Sequence, residues 1–280
     1  MAGQPLDDMA RWAWASAGVK GTSHVKTGVR LQDSFCNFEV AKNTGNVFCG
    51  MVSDGAGSAL FGGEGASLVC RTLSVEIRKY LRSANGLPTR ENYELWIDQV
   101  RDRIFLAAKI RNLTPRDFAA TLVCVVSNGS ESTVIHIGDG CAVFQNSENK
   151  SWFTPSWPNQ GEFASTTYFI TDEDLKELRV ESVLSPVSSI AIFTDGLERL
   201  ALDFGEKTPF AGFLDQMSRP LQGSDQFGKD ANLSVALKKY LDGDAINSRT
   251  DDDKSLILAV KKRKQKKYLL AVIDTPLGSE

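Results

Sequence analysis

The spacing of apolar residues in the first part of the chain predicts strands followed by two helices. Three short apolar runs have the length and character of strands: residues 11–17, 35–40 and 47–53. From Gly65 the period becomes helical, with an apolar residue at every fourth position: Val69, Leu73, Ile77 and Leu81. That stripe ends at Asn85-Gly86, and a second stripe predicts a helix over about residues 91–110.

The second part of the chain is again dominated by short apolar runs. Strands are predicted at residues 121–126, 133–137, 141–145, 189–194, 256–260 and 268–273. The turns after the first two of these predict two adjacent hairpins. Helices are predicted at residues 172–178 and 232–241. Because the strands cluster in hairpins, we expect an α+β fold with mostly antiparallel sheets. We expect a single domain over residues 1–280, with a flap-like insertion at about 146–180.

Composition and charge narrow the functional class. The 280 residues include 32 basic and 35 acidic side chains, a net charge of −3, which argues against nucleic acid as a partner. No apolar run reaches the roughly 18–20 residues that span a bilayer, and the first nine residues do not resemble a secretory signal. The five cysteines are an odd number and are widely spaced, which favours reduced thiols. We therefore expect a cytoplasmic protein without a membrane partner.

Four aspartates fall at the ends of predicted strands or next to them: Asp54, Asp139, Asp195 and Asp252. The first three are each followed by glycine, which lets a ligand approach the backbone closely. Carboxylates that converge at one sheet edge repel each other unless cations compensate them, and Mg²⁺ or Mn²⁺ prefers such oxygen ligands. A single Asp-Gly pair is most often an ordinary turn. From these residues alone, structural turns and a metal site both remain open.

Six ordered motifs resemble those of the protein phosphatase 2C (PPM-type) family, in a divergent bacterial branch. The motifs are residues 32–33, 53–57 with 62–67, 120–123, 137–140, 193–197 and 252–255. Residues 21–24, and 161–163 before 167–169, are similar to that branch as well. The resemblance implies an α-β-β-α four-layer sandwich of two mostly antiparallel sheets flanked by helices.

The same resemblance implies a metal site with two Mn²⁺ or Mg²⁺ ions. By position, Asp54 would bridge the two ions and the Gly55 carbonyl would bind one of them. Asp195 and Asp252 would complete the other, while Asp33, with Gln32, would contribute through water. Asp139 would hold a third, weaker ion together with Asp195. The implied reaction is hydrolysis of phosphoserine or phosphothreonine by a water or hydroxide that bridges two ions.

The chain also departs from the family pattern. Gly28 stands where the family usually has a phosphate-binding arginine, and Ala56 replaces a histidine of eukaryotic members. Cys141 replaces an arginine that often follows the third-metal aspartate. Three nearby side chains are candidates to bind phosphate: His24, Lys26 and Arg30. We rank His24 first, because imidazole could also protonate the leaving oxygen near neutral pH; a structural histidine at a strand end is the alternative.

Three other features allow more than one interpretation. Six of the seven residues 261–267 are basic, which suits either a solvated turn or a segment that binds the phosphates of nucleic acid or an acidic partner. The aromatic residues between 152 and 169 could select a substrate or pack on their own sheet. His136 lies mid-strand, and we expect it to be packed rather than catalytic.

The sequence thus favours a metal-dependent protein serine/threonine phosphatase. Its partner would be a phosphorylated protein, either the target of a bacterial serine/threonine kinase or the kinase itself. A catalytically silent module that binds a phosphoprotein or kinase through the same cleft is the alternative, and a phosphatase of small metabolites is a third reading. Retention of the metal-binding carboxylates favours the enzyme, whereas the loss of the phosphate-binding arginine is compatible with the silent binding module.

Overall fold

The structure, a computed structural model, describes residues 10–43, 45–158 and 167–263. These residues contain thirteen strands and seven helices. The strands are β1 (Arg11–Val19), β2 (Ser34–Val40), β3 (Val47–Ser53), β4 (Leu122–Ser127), β5 (Ser132–Ile137), β6 (Cys141–Asn146), β7 (Trp152–Phe153), β8 (Arg179–Val183), β9 (Val187–Phe193), β10 (Leu202–Asp203), β11 (Thr208–Pro209), β12 (Gly228–Lys229) and β13 (Lys254–Lys262). The helices are α1 (Thr22–Thr27), α2 (Gly62–Ser83), α3 (Arg90–Ile110), α4 (Glu198–Ala201), α5 (Ala211–Gly223), α6 (Ala231–Leu241) and α7 (Asp244–Asn247).

Two sheets form the centre of the fold. The first sheet has the strand order β12-β1-β13-β9-β6-β7, and the second has the order β2-β3-β4-β5-β8. Their strand pairs are antiparallel except for β1 with β12. Strands β10 and β11 form a separate two-stranded ribbon. This arrangement confirms the predicted α+β class with mostly antiparallel sheets.

The inner faces of the two sheets pack against each other. Alternate residues of each strand point inward, as strand geometry requires, so β1 contributes Trp12 and Trp14 to this layer. The Trp12 ring lies 5.4 Å from the ring of Phe48 on β3, which belongs to the opposite sheet. Ile192 and Ile257 extend the same apolar layer along the first sheet. The sheets are therefore held together mainly by buried apolar area.

Helices cover both outer faces. The apolar stripes of α2 and α3 pack on the second sheet and include the predicted residues Val69, Leu73, Ile77 and Leu81. Helices α5 and α6 pack on the outer face of the first sheet through Leu214, Leu221, Leu237 and Leu241. The layers run helix, sheet, sheet, helix, which confirms the expected α-β-β-α sandwich. No helix in the described part of the chain is long and apolar enough to cross a membrane.

The prediction of a second hairpin after β5 was wrong. Strands β4 and β5 do pair as a hairpin, but β6 pairs with β9 and β7 in the other sheet. The chain crosses between the sheets at Gly138-Asp139-Gly140, where Gly138 has a φ of 103°, a conformation that favours glycine. The crossover carries Asp139 to the gap between the sheets.

The predicted acidic helix at residues 172–178 was also wrong, since this segment forms turns. Asp172 Oδ2 accepts a hydrogen bond from the backbone N–H of Phe169, and Asp174 Oδ1 accepts one from that of Lys176. Such local bonds satisfy backbone donors without helix formation. The predicted strand at 268–273, the end of the basic run at 264–267, and the motif at 161–163 lie outside the described residues.

Candidate active site

A cleft of about 310 Å³ opens at the end of the sandwich where β3 and β9 end and β13 begins. Acidic and small polar residues dominate its lining. The lining residues are Ser23, His24, Gln32, Asp54, Gly55, Ala56, Gly57, Ser58, Thr121, Asp139, Thr167, Phe169, Asp195 and Asp252. Six of the seven residues predicted for the site therefore line this cleft, namely five residues with functional side chains and Gly55. Asp33 is the exception.

Backbone and hydroxyl hydrogen bonds fix Asp54 at the end of β3. Its N–H donates to Thr121 Oγ1 over 3.0 Å, and its carbonyl accepts from the Thr121 N–H over 2.8 Å. Gly55 follows in a site that only glycine fits, because a Cβ there would lie 2.1 Å from the carbonyl carbon of Gly62. The first turn of α2 is thereby packed directly against the Asp54 segment.

Three carboxylates come together in this cleft. Asp54, Asp139 and Asp195 each offer one oxygen within 4.8 Å of the oxygens offered by the other two. Burial, followed by repulsion from neighbouring carboxylates, raises the pKa of both Asp54 and Asp195 well above the ordinary value. Burial also raises the pKa of Asp139, against the effect of a 2.6 Å hydrogen bond from Thr167 Oγ1. The arrangement is electrostatically costly without a cation.

Asp33 lies behind the cleft rather than in its lining, and it is only 8% exposed. Thr194 Oγ1 donates a 2.8 Å hydrogen bond to Asp33 Oδ2, and the same hydroxyl accepts from the Ser255 N–H over 3.0 Å. Burial raises the pKa of Asp33 to about 7, while the Thr194 bond opposes that rise. Thr194 therefore joins the ends of β9 and β13 to this carboxylate, a role that sequence reasoning missed.

Asp252 lines the cleft but stands outside the tight group of three carboxylates. Its Oδ1 accepts a 2.8 Å hydrogen bond from the Asp253 N–H. The Asp253 carboxylate is buried and accepts from the N–H groups of Gly21 and Gln32, both over 2.6 Å. The sequence contained Asp253 within a motif but gave no sign of this bridging position, because its partners are more than 200 positions away.

His24 is the one candidate phosphate ligand that lines the cleft. It lies on α1, and its Nδ1 is 3.0 Å from Asp253 Oδ1, out of line for a hydrogen bond. Lys26 and Arg30 are exposed and do not belong to the lining. Gly28 ends α1 with a left-handed φ of 74°. An arginine at that position would be strained by about 1–2 kcal/mol, which gives a backbone reason for this departure.

The residues present fit a hard divalent cation. Among the described residues of the lining there is no lysine or arginine to balance the carboxylates. The buried Oδ1 atoms of Asp33 and Asp139 have no hydrogen-bond partner in the part of the chain that the structure describes. Buried polar atoms are normally paired, so these oxygens indicate a missing electropositive partner. An all-oxygen donor set favours Mg²⁺ or Mn²⁺ over zinc.

Comparison with known proteins identifies the family. The family model described as protein phosphatase 2C matches residues 20–242. The chain belongs to the protein phosphatase 2C family. It is 33% identical over 253 residues to serine/threonine-protein phosphatase 3 of Escherichia coli (strain K12), which covers 89% of this chain and 98% of that protein.

Solved structures at low identity share the fold of this protein phosphatase 2C member. PppA, a key regulatory component of T6SS in Pseudomonas aeruginosa, is 17% identical with a TM-score of 0.58, over 91% of this chain and 99% of that chain. The catalytic domain of the serine/threonine protein phosphatase PstP, in complex with two manganese ions, is 12% identical with a TM-score of 0.59. That match covers 90% of this chain and 99% of the PstP chain.

Two further residues considered from the sequence of this protein phosphatase 2C chain, His136 and Cys141, are buried. His136 is completely buried on β5, and its Nδ1 lies 2.9 Å from Ser156 Oγ. Cys141 is buried at the start of β6, where burial raises the pKa of its thiol to about 12. The expectation that His136 is packed rather than catalytic agrees with this burial, and all five cysteines are free thiols.

The aromatic segment and the basic run are partly described. Trp152 pairs through β7 with the first sheet, and the Trp157 ring packs 5.6 Å from that of Phe204, so these rings pack on their own protein. Phe169, in contrast, lines the cleft. Lys261 and Lys262 belong to β13 rather than to a turn, and their amino groups contact backbone carbonyl groups.

Proposed function

We propose that this chain is a metal-dependent protein serine/threonine phosphatase that hydrolyses phosphoserine and phosphothreonine in proteins. The observation that carries the proposal is the convergence of Asp54, Asp139 and Asp195 in one cleft without a compensating cation in its described lining. Membership of the protein phosphatase 2C family and the similarity to the Escherichia coli phosphatase support it.

The proposed ligands divide into a main site and a weaker one. Asp54, the Gly55 carbonyl, Asp195 and Asp252 would hold two Mn²⁺ or Mg²⁺ ions, and Asp33 would contribute through water. Asp139 would hold a third ion together with Asp195. When bound, such a pair of ions lowers the pKa of water and neutralises charge on a phosphoryl group. Thr194 and Thr121 hold Asp33 and Asp54 in place for this purpose.

His24 has two proposed roles, phosphate binding or proton donation to the leaving oxygen of serine or threonine. Its place in the lining and its 3.0 Å approach to Asp253 support both. Asp253 is itself held by two backbone N–H groups, so it offers a fixed counter-charge.

The cellular setting follows from the same proposal. The substrate would be a phosphorylated protein, either the target of a bacterial serine/threonine kinase or the kinase itself. We propose a cytoplasmic location and one domain over residues 1–280. The third reading, hydrolysis of a small phosphorylated metabolite, predicts higher kcat/KM on small esters than on phosphopeptides, so comparison of the two substrate classes separates these functions.

The deciding experiment compares the wild type with Asp54→Asn on a phosphothreonine peptide, with and without Mn²⁺, and titrates Mn²⁺ into both by calorimetry. We expect Mn²⁺-dependent turnover in the wild type, loss of turnover in Asp54→Asn, and weaker Mn²⁺ binding in that variant. The exposed Asp98→Asn on α3 is the matched control. Tight Mn²⁺ binding by the wild type without turnover on several phosphopeptides would instead identify the silent binding module.

A further inference from the structure

Large apolar side chains are exposed in two segments, residues 25–31 and 60–61, that adjoin residues lining the cleft. Val25 is 61% exposed and Leu60 is 72% exposed, while Val29, Leu31 and Phe61 are between 36% and 38% exposed. We call these five residues the apolar rim. Exposed apolar residues are ordinary when they are scattered singly, but a group of them at one place marks an interaction surface.

Covalent geometry places the rim at the mouth of the cleft. Val25 follows the cleft-lining His24, and Leu31 precedes the cleft-lining Gln32. Consecutive Cα atoms are about 3.8 Å apart, so both rim residues adjoin the lining. Residues 25–31 are all exposed, and the charged ones among them, Lys26 and Arg30, are basic.

The two segments that carry the rim are in contact with each other. Leu60 lies two positions after the cleft-lining Ser58. A Cβ on Gly63 would be 3.1 Å from the Leu31 carbonyl oxygen, so the start of α2 packs on the segment that holds Leu31. The segments that carry Leu31 and Leu60 are therefore neighbours in the fold.

Part of the apolar rim is rigid before any partner arrives. The Phe61 ring stacks on Phe118 with 5.4 Å between centroids, and Arg111 covers it with its Cζ 4.8 Å from the ring centre. Arg111 is in turn held by two hydrogen bonds to Glu64. A preformed apolar surface binds a partner with less loss of conformational entropy.

We infer that the apolar rim binds the substrate chain beside its phosphorylated residue and selects segments with a bulky aliphatic side chain within about three residues of the phosphate. An extended chain advances about 3.3–3.6 Å per residue, so a neighbour at that separation reaches the border of the cleft. The inference rests on the proposed function, because a phosphate in the cleft forces the flanking chain over its border.

The test uses two phosphothreonine peptides that differ only in leucine or serine at the three positions on each side of the phosphothreonine. We expect the wild type to show a kcat/KM about tenfold higher for the leucine peptide, a typical value for one buried apolar contact. In the double variant Val25→Ser/Leu60→Ser the ratio should fall towards one. Val235→Ser is the matched control, because Val235 is also 72% exposed but lies on α6, and it should keep the wild-type ratio.

The kcat/KM of each variant on a peptide is divided by its kcat/KM on p-nitrophenyl phosphate, which corrects for the fraction of active enzyme in each preparation. Equal kcat/KM for the two wild-type peptides, or an unchanged ratio in the double variant, would overturn the inference while the proposed function stands. A wild-type dimer in light scattering that dissociates in the double variant would overturn it too, since a second copy would then cover the rim. If the wild type hydrolysed none of the phosphate esters, the proposed function itself would be overturned.

Discussion

Gly196 packs so closely on the Asp253 carbonyl that a Cβ at position 196 would lie 2.0 Å from the carbonyl oxygen. On the other side, a Cβ at Gly21 would lie 2.4 Å from the Asp251 carbonyl oxygen. The segment that carries Asp252 is thus held between two glycines. One of them directly follows Asp195, so the close approach brings two carboxylate-bearing segments together.

Replacement of this glycine should weaken metal binding. In Gly196→Ala the segment around Asp252 must move, because no backbone atom can accept a contact of 2.0 Å. We expect Mn²⁺ affinity to fall about 10–100-fold, the range found for changes that misplace metal ligands. Calorimetric titration measures the effect. Gly86→Ala is the control, since a Cβ there has no atom within 4 Å; equal affinity in both variants would contradict the argument.

Charge repulsion in the cleft predicts that a variant without activity is more stable than the wild type when metal is absent. Burial, and then repulsion from the carboxylates around it, raises the pKa of Asp54, so its ionised form opposes folding. Asp54→Asn removes that charge, and we expect the metal-free Tm at pH 8 to rise by a few degrees, which corresponds to about 1–2 kcal/mol for a chain of this size.

The measurement is thermal unfolding with a chelator and again with Mn²⁺. Mn²⁺ should raise the Tm of the wild type far more than that of Asp54→Asn, because ligand binding to the folded state adds to stability. Asp98→Asn should behave as the wild type does in both conditions. A lower metal-free Tm for Asp54→Asn than for the wild type would show that repulsion does not dominate this cluster.

Local periodicity and strand ends were enough to predict much of the fold and of the cleft. The β3 strand was predicted with its observed bounds, and α2 was found from a four-residue apolar repeat. Asp54 and Asp195 could be placed at a sheet edge because each follows a buried strand, whereas their roles as metal ligands were implied only by the resemblance to the protein phosphatase 2C family. These features depend only on residues near each other in the sequence.

Features that depend on distant residues could not be predicted. The turn at residues 138–140 fits a hairpin as well as a crossover, and only the pairing of β6 with β9 decides between them. The acidic residues at 172–178 suit a helix until the hydrogen bond from the Phe169 N–H to Asp172 is known. The position of Asp253 also depends on residues that are distant in the sequence, because its carboxylate accepts hydrogen bonds from the N–H groups of Gly21 and Gln32.

The two roles proposed for His24 predict different dependence on the leaving group. Proton donation matters for serine, whose alkoxide is a poor leaving group, and little for p-nitrophenolate. If His24 is the acid, His24→Gln should lose about 10²–10³-fold in kcat/KM on a phosphoserine peptide and only a few-fold on p-nitrophenyl phosphate. Steady-state kinetics on both substrates measures this.

Equal losses on the two substrates would instead assign His24 to phosphate binding, because both esters carry the same phosphoryl group. Arg30→Gln is a suitable control, since Arg30 is exposed and outside the lining of the cleft. An unchanged rate on both substrates in His24→Gln would leave the histidine with neither role.

His136 predicts a specific dependence of stability on pH. Burial, followed by repulsion from Arg179, lowers its pKa to about 3 in the folded protein, against an ordinary 6.5. Between these values the unfolded chain binds more protons than the folded one, so folding stability falls as the pH is lowered from about 6.5. The loss should be on the order of 1 kcal/mol per pH unit.

Urea unfolding of the wild type and of His136→Asn between pH 4.5 and 7.5 measures this loss. The contribution of the aspartate cluster to the pH dependence cancels in the comparison, because both proteins contain that cluster. The difference in unfolding free energy between them should shrink as the pH falls; parallel curves would mean that His136 is not held neutral in the fold.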